Sequence, residues 1–434
     1  MTTDAQKPRL QRELGLFGAT MMGLGSIIGT GIFVSVGVAA GRAGPSVILA
    51  IGLSALVAVC NAFSSAQLAA SHPVSGGTYE YGYRYLHPSL GFTAGWMFLC
   101  AKTASAATAA LGFAGYLVNL LAMDSLPLIP LIPIAVITSV LLMILVLGGL
   151  RQTNWTNMVI VSVTLITLLL FVCFGLTTLS GKGLNNLQPF FPSEKGLGDF
   201  FYATALMFVA YTGYGRVATL GEEVKNPKTI IPRAIIATLT VSAILYTAVS
   251  LVAVGTVGAI HLAQWTHGSA TPLERVARTM EIPGLGTLIA LGACTSMLGV
   301  LLNLILGLSR VALAMGRQGD LPVVFARVSA AGVPRASVIG VGMLITGLVF
   351  VGNVETTWAF SALTVLIYYS ITNLAALRLP KEERLYHPVF AVGGLLACLF
   401  LAFWIPLTIW ITGLGLIIGG LIWHVISRLL RHSR

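Results

Sequence analysis

Long apolar runs alternate with short polar or Gly/Pro-rich segments along the whole 434-residue chain. Twelve of these runs approach the length that a helix needs to cross a ~30 Å hydrocarbon core. They are 16–40, 45–70, 89–118, 127–149, 155–179, 198–221, 232–258, 284–315, 335–352, 356–378, 388–404 and 406–427. The pattern predicts an all-α polytopic membrane protein of twelve transmembrane helices, with no separate soluble domain. The last two runs, divided at Trp404-Ile405-Pro406, are each near the short limit for a crossing. An even number of crossings puts both ends of the chain on one side, and the longest connections, 180–197 and 259–283, on the other.

Two runs break the pattern. The first contains "GSIIGTGIFV", residues 25–34, with Gly25, Gly29 and Gly31 in mid-membrane. Gly25 and Gly29 form a GxxxG, which by itself marks a helix-packing face. Gly31 and Thr30 extend the cluster beyond such a face. Half a chain later, "FVAYTGYGRVATLGEEVKNP" places Gly213 and Gly215 around Tyr214. Irregular backbone persists in hydrocarbon only where it lines a cavity or meets a ligand. Interrupted helices at matching positions of two halves mark the substrate site of a secondary transporter: half-helix N-termini face an anionic group and freed carbonyls take a cation.

Composition agrees: 56% of residues are hydrophobic and only 9% charged. The net charge of +11 reflects membrane orientation rather than nucleic-acid binding. With a cytoplasmic N-terminus, eighteen of the 25 Lys and Arg residues collect on the inner side and five on the outer, as the positive-inside rule requires. The remaining two, Lys102 and Arg216, fall inside helices. The first run is too long for a signal peptide and lacks a cleavage site. Five cysteines lie in apolar runs, which argues against a disulfide framework, and no His/Cys pattern has metal-ligand spacing. No P-loop or catalytic triad spacing occurs, so neither a cofactor, nor an enzyme activity, nor an obligate subunit is indicated.

"GSIIGTGIF", "PVSGGTYEYGYRYL" (73–86), "GEEVKNPKTIIPRA" (221–234) and "SRVALAMGRQGDLP" (309–322), in chain order, resemble the amino acid–polyamine–organocation superfamily of amino acid transporters over residues 14–380. The resemblance implies a five-plus-five inverted repeat of the leucine-transporter type, here 16–179 and 198–378. Two extra C-terminal helices (388–427) and a cytoplasmic N-terminus (1–15) complete the chain. It also implies alternating access in a cell membrane. Carried onto this chain, the carboxylate-binding loop is Gly29, Thr30 and Gly31, the ammonium-binding carbonyls are Ile27, Val209 and Thr212, and the side-chain pocket draws on Lys102, Ala106, Tyr211 and Tyr214.

Lys102 lies about thirteen residues from either end of its run, ~20 Å of helix and too deep to snorkel. A charge there normally faces a polar cavity. Two roles remain open at this stage: an ammonium held structurally by the broken helices, or a lysine that gains and loses a proton during transport. Relatives that place a coupling lysine on the fifth segment are not matched here, where that stretch offers Ser162 and Thr164. Sodium, the less favoured ion, would draw on hydroxyls such as Ser296. Arg216 is placed to pair with Glu222 or Glu223 at an inner gate. The expected function is secondary transport of neutral or acidic amino acids, by proton symport or exchange, because the cation at Lys102 opposes basic substrates. Alternatives are an amino acid sensor without turnover and a sodium-coupled or amine carrier of the same fold.

Overall fold

Without water to serve the backbone, each segment in a bilayer must close its own hydrogen bonds, and helices do so. In the computed structural model, the described residues are 14–72, 76–121, 131–149, 154–179, 185–218, 224–329 and 332–432, and their regular elements are all helical. Among these residues the only β-type pairing is an isolated bridge between Leu14 and Val224.

The first run forms α1 (Leu16–Ile27), a π-helical turn (Gly31–Ser35) and α2 (Val36–Ala43). There follow α3 (Val47–Ser71), the short α4 (Thr78–Tyr85), α5 (Pro88–Leu120), α6 (Leu131–Leu147) and α7 (Asn154–Thr178). The second interrupted run is α8 (Leu197–Tyr211), a 3-10 turn (Thr212–Tyr214) and α9 (Gly215–Ala218). Next come α10 (Pro227–Ser269), α11 (Pro272–Thr279), α12 (Leu285–Gln318), α13 (Arg335–Val349), α14 (Val354–Leu377), α15 (Pro388–Phe403) and α16 (Leu407–His432). Proline opens α5, α10, α11 and α15, where its missing N–H costs nothing. The Asn353 side chain caps α14 by accepting from the Thr356 N–H at 3.1 Å. Gly319, at φ 73°, ends α12 in the left-handed conformation that a side chain would strain.

Seven helical stretches among the described residues are long and apolar enough to cross a membrane, one of them running from Leu16 to Ser71. α6, α13 and α15 are shorter apolar helices. Large apolar side chains point outward on many of them, including Leu141 and Ile144 on α6, Ile166 on α7, Met343 on α13 and Phe403 on α15. An apolar exterior of this kind is covered by lipid in a multi-pass membrane protein.

The connection expected over 259–283 is largely helical. α10 continues past a kink at Gly258 (φ 81°) to Ser269, and α11 buries Leu273, Val276 and Glu274. The Glu274 carboxylate is bonded by Asn119 of α5 and by Arg278. The centre of the bundle is α5, which packs on α12 and α14. Its alanines, Ala101, Ala104, Ala106, Ala107, Ala109 and Ala110, are all fully buried, and small side chains let neighbouring helices approach closely.

Candidate functional site

α1 stops because Ile28 turns to extended backbone (φ −77°, ψ 106°), and Thr30 returns to helical angles (φ −51°, ψ −35°) before the π-turn. The break is therefore confined to residues 28–30, and the glycines around it divide their roles. A Cβ on Gly25 would lie 2.4 Å from Asn157 Oδ1 of α7, a packing contact. One on Gly29 would meet Val300 Cγ2 of α12 at 2.6 Å, and one on Gly31 would meet Ala210 Cβ of α8 at 2.6 Å. Packing face and break are both present, and the absence of side chains is what lets the broken segment lie between α12 and α8.

The second interrupted helix does not unwind; it tightens. After Tyr211 one 3-10 turn, Thr212–Tyr214, changes the helix phase. Gly213 is pressed onto the first break: a Cβ there would be 2.1 Å from the Ser26 carbonyl oxygen and 2.6 Å from the Ile27 nitrogen. Tyr246 of α10 ties the two elements together, its hydroxyl donating to the Ile27 carbonyl at 2.7 Å and lying 3.5 Å from that of Ala210. Ser296 of α12 donates to the Ile28 carbonyl at 2.7 Å.

Two adjoining cavities open at this crossing. The smaller, about 370 Å³, is lined by Thr30, Gly31, Val209, Ala210, Ser105 and Trp358. The larger, about 740 Å³ including its mouth, runs past Phe98 and Asn303 to Gly76, Arg216 and Arg310. Ser26, Lys102, Thr212, Gly213, Val300 and Leu304 belong to both. Lys102, 8% exposed, donates from Nζ to Thr212 Oγ1 at 2.9 Å, and that hydroxyl donates in turn to the Val209 carbonyl at 2.7 Å. A lysine ammonium has three donors, so capacity remains for an acceptor in the cavity. The Thr30 hydroxyl is buried without a protein partner on the other wall. Such groups are normally satisfied by water or ligand.

Beyond Trp358 the bundle is closed. α5 and α14 are stitched by Ser105 with Ser361 (2.8 Å) and Thr108 with Thr357 (2.8 Å), while Trp358 Nε1 donates to the Leu206 carbonyl (2.9 Å). At the same end Arg42 of α2 pairs with Glu355 of α14 at 2.5 Å, and Lys195 bonds the Gly41 carbonyl. At the opposite, open end the rim reaches Gly76, just before α4. Tyr79 and Tyr83 donate to Asp320 Oδ2, and His424 of α16 lies 2.9 Å from its Oδ1. Burial holds the Glu80 carboxyl above its usual range, with the Gln318 hydrogen bond acting against it and the Asp320 charge adding to it.

Of the residues expected at the site, Ile27, Gly29, Thr30, Gly31, Lys102, Val209 and Thr212 converge on the crossing, and Arg216 lines the open end. Ser296 touches the break. Ala106 is fully buried in α5 away from both cavities. The Tyr211 ring lies tilted against Tyr246 (centroids 5.1 Å apart) and the Tyr214 ring against Tyr369 (5.6 Å), so both pack behind the lining. The Thr164 hydroxyl bonds the Ile160 carbonyl of its own helix and lies outside the cavity walls. Glu222 and Glu223 lie outside the described residues. Asn303, Trp358 and Tyr246 were not anticipated. Their only signal is a lone polar or aromatic group inside an apolar run.

A helix bundle with an apolar exterior, two interrupted helices in contact and, beside them, a cavity lined by Lys102, Asn303 and Arg216 and closed at one end is the architecture of a membrane transporter. The chain matches the amino acid permease family model over residues 18–424. It is 35% identical over 403 residues to an uncharacterized transporter of Mycobacterium tuberculosis, covering 92% of this chain and 87% of that one. It is 29% identical over 325 residues to the branched-chain amino acid permease BcaP of Bacillus subtilis (72% and 69%). It is also 29% identical over 454 residues to the methylthioribose transporter of the same organism (100% and 96%). The chain belongs to the amino acid permease family of the amino acid–polyamine–organocation superfamily, whose members are transporters rather than enzymes.

Proposed function

We propose that this permease is a secondary active carrier that moves neutral or acidic amino acids by alternating access, coupled to protons as symport or exchange. The observation carrying the reading is the contact of the two interrupted helices, Gly213 on Ser26, beside a cavity that Lys102 lines. In this reading the substrate carboxylate meets the N–H groups of Gly29, Thr30 and Gly31, since the first N–H groups of a helix lack intrahelical partners. The ammonium takes the carbonyls of Ile27, Val209 and Thr212. The Ile27 carbonyl accepts the Tyr246 hydroxyl and has a second lone pair to offer, whereas the Val209 carbonyl accepts both the hydroxyl and the N–H of Thr212, so the ammonium takes it by displacing the Thr212 hydroxyl.

Lys102 occupies the same corner through Thr212, so a protonated Lys102 and a substrate ammonium compete for it. Loss of the Lys102 proton when substrate enters moves proton and substrate in opposite directions, the exchange form of the reading; symport instead requires Lys102 to stay protonated beside the bound substrate carboxylate. The reading takes the twelve runs as twelve crossings, arranged as two inverted repeats (16–179 and 198–378) plus two further helices, in a cell membrane with both termini cytoplasmic. The open Arg310 end is then cytoplasmic, and the conformation described is inward-facing. Counterflow in proteoliposomes tests it. Labelled amino acid should exchange saturably, respond to a proton gradient and ignore sodium. Binding without exchange would mark a sensor instead, and a sodium requirement would replace the proton.

A further inference from the structure

α12 turns Val300, Asn303, Leu304 and Gly307 toward the larger cavity, the i, i+3, i+4, i+7 stripe of one helix face. Asn303 is 4% exposed, and neither its Oδ1 nor its Nδ2 has a hydrogen-bond partner. It is the exception among the deeply buried carboxamides of the described residues. Asn61 donates to Val57, Asn119 to Thr271, Asn157 to Met21 and Asn373 to Tyr369, while Gln67 accepts from Tyr386. A buried amide left unpaired on both atoms is costly, and one aimed into a cavity has its partners there.

We propose that Asn303 selects the substrate side chain, and that the carrier is built for amino acids ending in a carboxamide, glutamine and asparagine, over branched apolar ones. The inference rests on the transporter reading above, which places the amino acid head at Thr30 and Gly31. Asn303 offers one acceptor and two donors. A second carboxamide is complementary to it, N–H to O and O to H–N, and leaves no group dry. A substrate carboxylate is drawn by Lys102, Arg216 and Arg310 of the same cavity, but it accepts only, so it leaves Oδ1 unmet and facing negative charge. An apolar side chain leaves both atoms buried and unserved. A cationic one meets Lys102 in the same cavity, with no carboxylate among the described lining residues to receive it. Sites that hydrogen-bond a substrate group reject analogues lacking it far more strongly than apolar pockets reject a change of size.

The test measures competition by glutamine, asparagine, glutamate, leucine, isoleucine and methylthioribose against labelled exchange in proteoliposomes, for wild type and for Asn303→Leu. Ligand-induced thermal shifts are read on the same preparations. Wild type should favour glutamine and asparagine over leucine by tenfold or more. Asn303→Leu, of the same branching and heavy-atom count and free of the unpaired amide, should fold at least as stably, its extra bulk entering the cavity, and lose that preference. If Asn303→Leu does not fold, Asn303→Ala should show the same loss. An unchanged ranking in the variant would mean that water serves Asn303, which overturns the assignment, as would a wild type that prefers leucine or glutamate. A wild type that exchanges methylthioribose and no amino acid would overturn the amino acid reading on which the inference rests.

Discussion

Gly213→Ala is the sharpest perturbation of the site, because the added methyl meets backbone and not a side chain able to rotate away. The new Cβ would be 2.1 Å from the Ser26 oxygen, 2.4 Å from the Ser26 carbonyl carbon and 2.6 Å from the Ile27 nitrogen. Ordinary contact is roughly 3.5 Å, so the two interrupted helices must part by more than about 1 Å. That strain is of the overpacking kind, about 1–3 kcal/mol, and it falls on the contact that holds the Tyr246 bridge to Ile27. With 1.4 kcal/mol equal to a factor of ten, substrate affinity should fall by about 5- to 150-fold. The matched control is Gly215→Ala, whose Cβ meets only the Tyr369 hydroxyl at 3.4 Å, an ordinary contact. Counterflow and thermal shift on both variants decide the matter. Gly215→Ala should stay within a few-fold of wild type. If Gly213→Ala binds and exchanges as well as Gly215→Ala, the close helix crossing does not shape the site.

Lys102→Ala should remove the pH dependence of uptake while expression and folding persist; uptake that still follows the proton gradient would take the coupling role from Lys102. Glu355→Gln breaks the ion pair with Arg42, whose side chains are 20% and 43% exposed. A pair so exposed contributes about 1 kcal/mol at most, so the outward-open population should rise by no more than about fivefold. Thiol labelling of a Val300→Cys background from the outer face measures it, and a larger shift would show that the pair is the main outer latch. Glu80→Gln mimics the protonated form that burial already favours at the rim. It should preserve the pH dependence of uptake, and loss of that dependence would move the coupling proton from α5 to the rim.

The apolar runs were legible as helices because a segment in hydrocarbon must close its own backbone hydrogen bonds, and each described run contains a helix, while α4, α11 and the end of α10 fall in stretches expected to be connections. Gly25, Gly29 and Gly31 marked the first break for a similar reason: a cluster of residues without side chains serves only where something comes close. Lys102 marked a cavity because a charge deep in an apolar run has to be served, although apolar side chains make most of that cavity's wall. These are local properties of composition and spacing, and a chain carries them before it folds. Which faces meet is not local. That Gly213 presses on Ser26, that Tyr246 bridges both interrupted helices, that Tyr211 and Tyr214 pack behind the cavity while Asn303 enters it unpaired, and that the second interruption is a tightened turn, all depend on helix rotation and depth. Side-chain packing between elements far apart in the chain sets those, so only the assembled bundle decides them.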